Sequence, residues 1–199
     1  YFGLMLKSSV RKNYQQGLLN LKDLAEQAER GRLVVSATRN LDLVHLTTMP
    51  SNILFISGQA NPASEDIVKI YQVAYERIRG TMARNQITAS GAPIGITTAW
   101  DPDNDLYVFD AAIPIGDAII ETLPDGMRLR ENYSGPVVRA THHGPYELLR
   151  DTYDGLQAYI ADQGLIVTGN SWEEYVNDPG QVSADELMTY VYFPVIEGS

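Results

Sequence analysis

A recurring order of secondary-structure elements is the feature that most limits what this chain can fold into. The apolar run "NILFISG" at 52–58 predicts a buried strand, and apolar positions at helical spacing follow from 64 to 82. Two strands are predicted next, "PIGITTAW" at 93–100 and "LYVFDAAIPIG" at 106–116, with a turn at "DPDND" between them. The order in this half is strand, helix, strand, strand.

The second half of the chain shows the same order. "PVVRATH" at 136–142 predicts a strand, and Gly144-Pro145 opens a helix whose apolar stripe ends at Gly164. "LIVTGNSWEEYV" at 165–176 and "ELMTYVYFPVI" at 186–196 predict two further strands. The second half therefore reads as a copy of the first.

Two further correspondences favour a duplication. Pro114 and Pro194 each lie near the end of a last strand, where a missing backbone N–H is tolerated, and Trp100 and Trp172 each come late in a second strand. We predict an α+β fold for residues 42–197: a tandem strand-helix-strand-strand duplication with a curved antiparallel sheet and two long helices on one face. We expect a ligand cleft between the repeats, on the sheet face away from the helices.

Helix signals also occur outside this repeating pattern. Ser64 is placed to cap the first long helix, with Glu65 and Asp66 in its first turn. Apolar positions at helical spacing from 11 to 30, ending near Gly31, predict a separate amphipathic helix. Because the first residue is Tyr rather than Met, we expect a trimmed chain or one domain of a longer protein, with this helix as the tail of a preceding domain.

Charge and composition argue against several classes of function. Fifteen Lys and Arg against 25 Asp and Glu leave a formal net charge of −10, which disfavours direct binding of nucleic acid. No apolar run is long enough to predict a membrane span. The absence of cysteine excludes disulfides, thiolate metal sites and cysteine nucleophiles, and it is compatible with the cytoplasm. We expect a monomer or weak dimer whose acidity suits a cationic or neutral small molecule.

Two polar clusters resemble metal ligands only superficially. His142 and His143 are adjacent, so their side chains diverge on a strand, and a helix-entry role is the better interpretation. Asp101, Asp103 and Asp105 alternate, but the glycine and glutamate of an EF-hand loop are missing and a hairpin turn is predicted. No phosphate loop, dinucleotide fingerprint or nucleophile elbow is present. We expect neither a metal nor a cofactor.

Adjacent carboxylates, Glu173 and Glu174, stand in a predicted strand between Trp172 and Tyr175. Alternation along a strand sends Glu173 and Tyr175 to one face and Glu174 to the other. Because burying an ionised carboxylate is costly, one of the two is expected in water and the other needs a partner.

Several short motifs in the second half occur together in a known family. They are Gly144-Pro145-Tyr146 at a helix opening, Gly164-Leu165 at its exit, Glu173 and Tyr175 in a Glu-x-Tyr strand, Asp178-Pro179, and Thr189, Tyr192 and Pro194 in the closing strand. This combination resembles the gyrase-inhibitor-like (GyrI-like), or AraC-type effector-binding, small-molecule-binding family, over roughly residues 42–197. Separately, "YQQGLLNLKDLAE" at 14–26 resembles the final helix of a START-like (SRPBCC) lipid- or polyketide-binding domain.

The resemblance implies a fold and a kind of site. It implies a tandem fold with a ligand cleft that is lined by aromatic residues, and it makes Glu173 similar to the family's buried glutamate, which engages a cationic or polarisable ligand. Members act as effector domains of transcription regulators, bind antibiotics or bind a protein partner, and a subset resembles hydrolases of strained cyclopropane rings. Tyr190 stands where the closing strand often carries an acidic residue, which disfavours a two-carboxylate hydrolytic mechanism.

Aromatic residues concentrate in the predicted strands, and an aromatic wall beside a carboxylate suits planar cations. The candidate ligand-binding residues are Glu173, Tyr175, Tyr192, Tyr190, Trp100, Tyr107, Trp172 and Tyr146. Alternation puts Tyr190 and Tyr192 on one face of their strand and Phe193 on the other. Leaning on the family resemblance, we expect Tyr175 and Tyr192 to line the cleft.

Three functions are compatible with these residues. The leading one is binding of an amphiphilic, aromatic or cationic small molecule for sensing or sequestration. The second is a hydrolase in which Glu173 is the catalytic general acid or base on a strained or electrophilic molecule. The third is inhibition of a protein partner through an acidic surface.

Overall fold

A computed structural model of the chain describes residues 41–62, 64 and 66–198. The strands are β1 (Asp42–Thr48), β2 (Asn52–Ala60), β3 (Ile94–Asp101), β4 (Leu106–Gly116), β5 (Met127–Glu131), β6 (Gly135–His143), β7 (Leu165–Val167), β8 (Trp172–Tyr175) and β9 (Met188–Glu197). The α-helices are α1 (Ile67–Arg84) and α2 (Leu149–Asp162). The helix predicted over 11–30 lies outside the described residues.

The strands form one open antiparallel sheet. Its order is β1-β6-β9-β8-β3-β4-β2-β5, and the short β7 pairs with the end of β9. The predicted α+β class and the large antiparallel sheet are therefore confirmed. At the centre of the sheet, β8 of the second half pairs with β3 of the first. The two halves of the chain thus meet along β3 and β8.

Both helices pack on the same face of the sheet, as predicted. The apolar stripe of α1 includes Ile67 and Ile78, and that of α2 includes Leu149 and Leu156, all with no exposed surface. These side chains belong to one core with residues of β2, β4, β6 and β9 that share a sheet face, such as Phe109. Burying large aliphatic side chains stabilises a fold by about 1.5 to 3 kcal/mol each, so this layer anchors both helices.

The helix starts differ in detail from the prediction. Helix α1 begins at Ile67, and Ser64 does not cap it; instead its Oγ accepts the backbone N–H of Asp66 at 3.1 Å, which forms a turn before the helix. Asp66 occupies the capping position without a side-chain hydrogen bond, so it is not in the first turn. Gly144-Pro145 leads first into a 3-10 turn, Tyr146–Leu148, and α2 follows from Leu149.

The strand predicted over 165–176 is two strands. β7 pairs with β9 from Val195 to Glu197, whereas β8 pairs with it from Thr189 to Tyr192. Between them, the backbone N–H of Thr168 donates to the carbonyl oxygen of Pro194 at 3.0 Å. Pro194 cannot donate in return, so the regular ladder is interrupted here and only β8 continues to the centre of the sheet.

Pro114 and Pro194 have matching surroundings. The carbonyl oxygen of Pro114 accepts the backbone N–H of Ser90 at 2.9 Å, just as the carbonyl oxygen of Pro194 accepts that of Thr168. In both cases the donor lies in the segment that follows the helix of that half. The two proline-containing strand ends therefore make equivalent backbone contacts.

Candidate functional site

Glu173 lies at the centre of the sheet because of the pairing of β8. Its neighbour across β3 is Gly95 and its neighbour across β9 is Val191. Alternation puts Glu173 and Tyr175 on the face that the helices cover, whereas Trp172 and Glu174 point to the other face. The carboxylate was expected on the face away from the helices; that expectation is wrong, because a residue of α2 donates a hydrogen bond to it.

The Glu173 carboxylate is buried and is held by two tyrosine hydroxyls. It is 2% exposed, Tyr153 donates to Oε1 at 2.8 Å, and Tyr175 donates to Oε2 at 3.0 Å. Neither salt bridge found in residues 41–62, 64 and 66–198 involves Glu173. Burial raises its pKa from 4.5 to about 8, although the two hydrogen bonds act in the opposite direction. The carboxyl group is therefore largely protonated at neutral pH.

Six tyrosines lie close enough to this carboxyl group for its charge to affect the pKa of their hydroxyls. Burial raises the pKa of each of their hydroxyls, and the negative charge of Glu173 raises it further. They are Tyr71 and Tyr75 of α1, Tyr107 of β4, Tyr146 of the 3-10 turn, Tyr153 of α2 and Tyr175 of β8. For Tyr146 the pKa rises to about 12. All six hydroxyls stay neutral across the physiological range and can act as hydrogen-bond donors.

The tyrosine rings pack against one another as an aromatic layer between α1 and the sheet. Tyr71 stacks on Phe109, with ring centroids 4.1 Å apart and planes 12° apart, and its hydroxyl oxygen lies 3.0 Å from that of Tyr107. Tyr175 makes edge contacts with Tyr71 and Tyr146, with centroids 6.5 and 5.8 Å apart. Such a layer combines apolar ring faces with polar hydroxyl edges, and the hydroxyl of Tyr175 reaches Glu173.

Gly95 makes room for two of these hydroxyls. A Cβ atom at this position would lie 2.8 Å from the Tyr175 hydroxyl oxygen and 2.9 Å from that of Tyr71, closer than real Cβ contacts allow. Because Gly95 is the cross-strand neighbour of Glu173, its missing side chain lets the tyrosine hydroxyls lie directly beside the carboxylate. Close packing of these hydroxyls against the strand therefore favours glycine at this position.

The opposite face of the sheet holds a second aromatic group. Trp172 stacks on Tyr192, with centroids 4.8 Å apart and planes 8° apart, and the Tyr192 hydroxyl donates to Oε2 of Glu174 at 2.7 Å. The guanidinium carbon of Arg139 lies 4.1 Å from the ring centroid of Tyr190. Glu174 is half-buried rather than in open water. This face is held by stacking and by a cation–π contact.

The structure brings together five of the eight candidate residues. Glu173, Tyr175, Tyr107 and Tyr146 lie on the helix side of the sheet, and Trp100 joins them through an edge contact with Tyr107, with centroids 5.4 Å apart. The other three, Trp172, Tyr190 and Tyr192, lie on the opposite face. Tyr175 and Tyr192 were both expected to line the cleft, but they lie on opposite faces of the sheet. A ligand contact for Trp172, Tyr190 and Tyr192 stays a prediction.

Sequence reasoning did not assign three tyrosines to the site. Tyr71, Tyr75 and Tyr153 come from the two helices, Tyr71 and Tyr75 from α1 and Tyr153 from α2. The available signal was chemical, because a hydroxyl on an otherwise apolar stripe must find a partner when it is buried. Tyr153 finds Glu173, and Tyr75 finds the backbone carbonyl oxygen of Ile94 at 2.9 Å.

His142 has a structural role, as expected. It is 5% exposed; its Nδ1 lies 2.8 Å from Oγ1 of Thr152 in α2, and its Nε2 lies 3.1 Å from the carbonyl oxygen of Pro145. Burial lowers the pKa of its imidazole. Over the part of the chain that the structure describes, no cluster of His, Asp and Glu side chains could hold a metal ion, and no helix is long and apolar enough to cross a membrane.

Comparison with known proteins agrees with this fold. The sequence matches the GyrI-like small molecule binding domain over residues 44–196, so the chain belongs to the GyrI-like family of small-molecule binding domains. A comparison with curated proteins found no match.

Several solved structures share the fold at low sequence identity. The EcmrR C-terminal domain has a TM-score of 0.68 at 15% identity, covering 79% of this chain and 99% of that one. SAV2435 bound to tetraphenylphosphonium has a TM-score of 0.57 at 13% identity, covering 78% and 94%. A hydrolase from Listeria innocua has a TM-score of 0.55 at 18% identity, covering 77% and 91%.

Proposed function

We propose that this domain binds a lipophilic aromatic cation whose positive centre pairs with the ionised carboxylate of Glu173. One observation carries the proposal: a carboxyl group 2% exposed whose hydrogen-bond partners are neutral tyrosine hydroxyls. A buried acidic group either keeps its proton or ionises beside a cationic partner, because burying an uncompensated charge is costly. A bound cation would supply that partner.

The surroundings of Glu173 suit an aromatic cation. Ring faces attract positive charge, and aromatic side chains bury large areas against a planar or propeller-shaped molecule. The chain's net charge of −10 also favours the approach of a cation. The solved structure of a relative in fold, SAV2435, contains tetraphenylphosphonium, which is a lipophilic cation of this kind.

The halves of the domain contribute equally to this site. Gly95 and Tyr107 come from the first half, Tyr153 and Tyr175 from the second, and β3 and β8 join the halves at Glu173. Together with the matching contacts of the two proline-containing strand ends, this supports a tandem duplication with the ligand site between the repeats. The ligand would enter on the helix side of the sheet and displace hydroxyls of Tyr153 and Tyr175 from the carboxylate.

Binding is coupled to release of a proton. With a pKa of about 8, Glu173 is mostly protonated at neutral pH before a ligand binds, whereas a cation needs the ionised form. The proton passes to solvent as the cation enters, so one proton is released and the complex has the same net charge as the free, protonated protein. A sensor domain that changes its hydrogen bonds on α2 in this way could transmit ligand occupancy, and we favour sensing over sequestration for that reason.

The test is calorimetric titration of tetraphenylphosphonium at pH 8.5 into the wild type, Glu173→Gln and Glu174→Gln. We expect Glu173→Gln to weaken binding by about 1 to 3 kcal/mol, the scale of the Coulomb attraction between two unit charges about 6 Å apart at an effective dielectric constant of about 20 or more. Glu174→Gln removes the same formal charge from the opposite face and should change affinity little. Neutral triphenylphosphine oxide should bind both variants as it binds the wild type. Equal losses of tetraphenylphosphonium affinity in the two variants would contradict the proposal.

A hydrolase is the second candidate function, and the protonated state of Glu173 favours it. A carboxyl group with a pKa of about 8 can donate a proton to a leaving group at neutral pH, as a general acid does. Single-turnover incubation with a candidate electrophile, followed by mass spectrometry, separates this function from binding. Unchanged ligand after incubation would favour the binding function.

A further inference from the structure

The hydroxyl of Thr189 is a polar group without a partner inside the sheet-helix core. The residue has no exposed surface, and no hydrogen-bond donor or acceptor in the described part of the chain pairs with its Oγ1. Buried side-chain hydroxyls nearly always have a protein or water partner, so an exception calls for a physical reason. Valine would fill the same space without this unpaired group.

Thr189 lies on the same face of the sheet as Glu173. In β9 it stands directly opposite Tyr175 of β8 on one side and His142 of β6 on the other. Because Glu173 stands opposite Val191, two residues further along β9, Thr189 is its diagonal neighbour across the strands. The Cα atoms of diagonal neighbours lie about 7 to 8 Å apart. The hydroxyl is therefore within the span of one small molecule from the carboxylate.

The polar groups next to Thr189 are engaged elsewhere. The Tyr175 hydroxyl donates to Oε2 of Glu173. Both ring nitrogens of His142 have partners, since Nδ1 is paired with Thr152 and Nε2 with the carbonyl oxygen of Pro145. The proton of the Tyr175 hydroxyl and both ring nitrogens of His142 thus serve other partners, and none of these groups is paired with Oγ1 of Thr189.

We propose that Thr189 is a second polar contact for the ligand of this site. The ligand class is a lipophilic cation that carries a hydroxyl, amide or ether group about 7 Å from its positive centre. The cation pairs with Glu173, and the polar group pairs with Oγ1 of Thr189, which can donate or accept. This inference rests on the proposed cation-binding function and adds to it a specificity-determining residue.

The experiment uses two cations that differ by one hydroxyl group, benzyltriphenylphosphonium and (4-hydroxybenzyl)triphenylphosphonium. Both are titrated by calorimetry into the full chain at pH 7.5, as wild type, Thr189→Val, Thr189→Ser and Glu173→Gln. In the wild type the hydroxylated cation should bind about fivefold to tenfold more tightly than its parent, as expected for one added hydrogen bond. Thr189→Val should abolish this advantage and leave parent binding within about twofold, whereas Thr189→Ser should keep it.

Thermal unfolding without ligand gives a second readout. Removing an unpaired buried hydroxyl should leave the Tm of Thr189→Val equal to or above that of the wild type. A Tm lowered by several degrees would mean that the hydroxyl already has a partner, such as a bound water, and would overturn the inference.

The outcomes separate this inference from the function on which it rests. Suppose that both cations bind and that Glu173→Gln weakens both. If the hydroxylated cation then binds the wild type no more tightly than its parent, or keeps its tighter binding in Thr189→Val, Thr189 is not a ligand contact and the Glu173 site stands. If neither cation binds any variant, the proposed cation-binding function fails and the Thr189 contact fails with it.

Discussion

Replacing Glu173 by glutamine should stabilise the folded protein at alkaline pH, although it removes the central polar group of the site. In the folded state the carboxyl group keeps its proton up to a pKa of about 8, against an ordinary value of 4.5. Unfolding exposes the group to water, where it ionises above pH 4.5. Between these two values the unfolded state binds fewer protons than the folded state, so the free energy of unfolding falls as pH rises.

The size of this effect follows from the pKa difference. Each pKa unit corresponds to about 1.4 kcal/mol, so a shift of this size costs the ionised folded protein about 5 kcal/mol above pH 8. The stabilising contribution of the protonated group is fully present below pH 4.5 and is lost as pH rises through 8. A loss of this order is a large fraction of the total stability of a typical domain. Glutamine has no titrating proton and keeps both an acceptor and a donor for Tyr153 and Tyr175.

Urea unfolding followed by circular dichroism at five pH values from 5 to 9 measures the effect. The variant should match the wild type within about 1 kcal/mol at pH 5 and should exceed it progressively toward pH 9. All other titrating groups are common to both proteins, so the difference between their curves isolates Glu173. Glu174→Gln controls for the loss of one charge. A constant difference between wild type and Glu173→Gln across this range would refute the argument that burial keeps the carboxyl group protonated.

The contacts of Glu173, Tyr153 and Gly95 can each be tested separately. The affinity of the wild type for tetraphenylphosphonium should rise about tenfold per pH unit from 6 to 8 and level off above 8, whereas calorimetry on Glu173→Gln should show a flat profile. Tyr153→Phe removes a hydrogen bond that favours the ionised carboxylate, so it should move the pH profile of affinity to higher pH. Tyr75→Phe should leave the profile in place, because the Tyr75 hydroxyl bonds to a backbone carbonyl oxygen. Equal shifts in the two variants would contradict the role given to the Tyr153 hydrogen bond. Gly95→Ala should lower the free energy of unfolding by about 1 to 3 kcal/mol, because its Cβ would collide with two tyrosine hydroxyls. Gly80→Ala, in α1 with its nearest side-chain atom at 3.6 Å, should instead raise the free energy of unfolding by about 0.5 to 1 kcal/mol, and urea unfolding measures both. A tolerated Gly95→Ala would show that the hydroxyls move at little cost.

Much of the fold could be predicted because its signals are local. Period-two and 3.6-residue patterns of apolar residues located both helices and most strands within a few residues. The errors came from contacts that such patterns do not encode. Ser64 makes its hydrogen bond before the helix begins, and Pro194 interrupts the ladder opposite Thr168, so one predicted strand became two.

The amino-acid sequence by itself determined which side chains share a face. Alternation placed Glu173 with Tyr175 and separated both from Glu174, and the structure confirms this. The prediction was possible because side chains alternate between the two faces along any extended strand, which is a local property of the backbone. The tertiary structure alone decided which face the helices cover. Strand pairing placed Gly95 beside Glu173, and helix packing brought Tyr153 to the carboxylate from twenty residues away in sequence. These contacts depend on how separate elements pack across the core, and no local pattern of apolar residues specifies that arrangement.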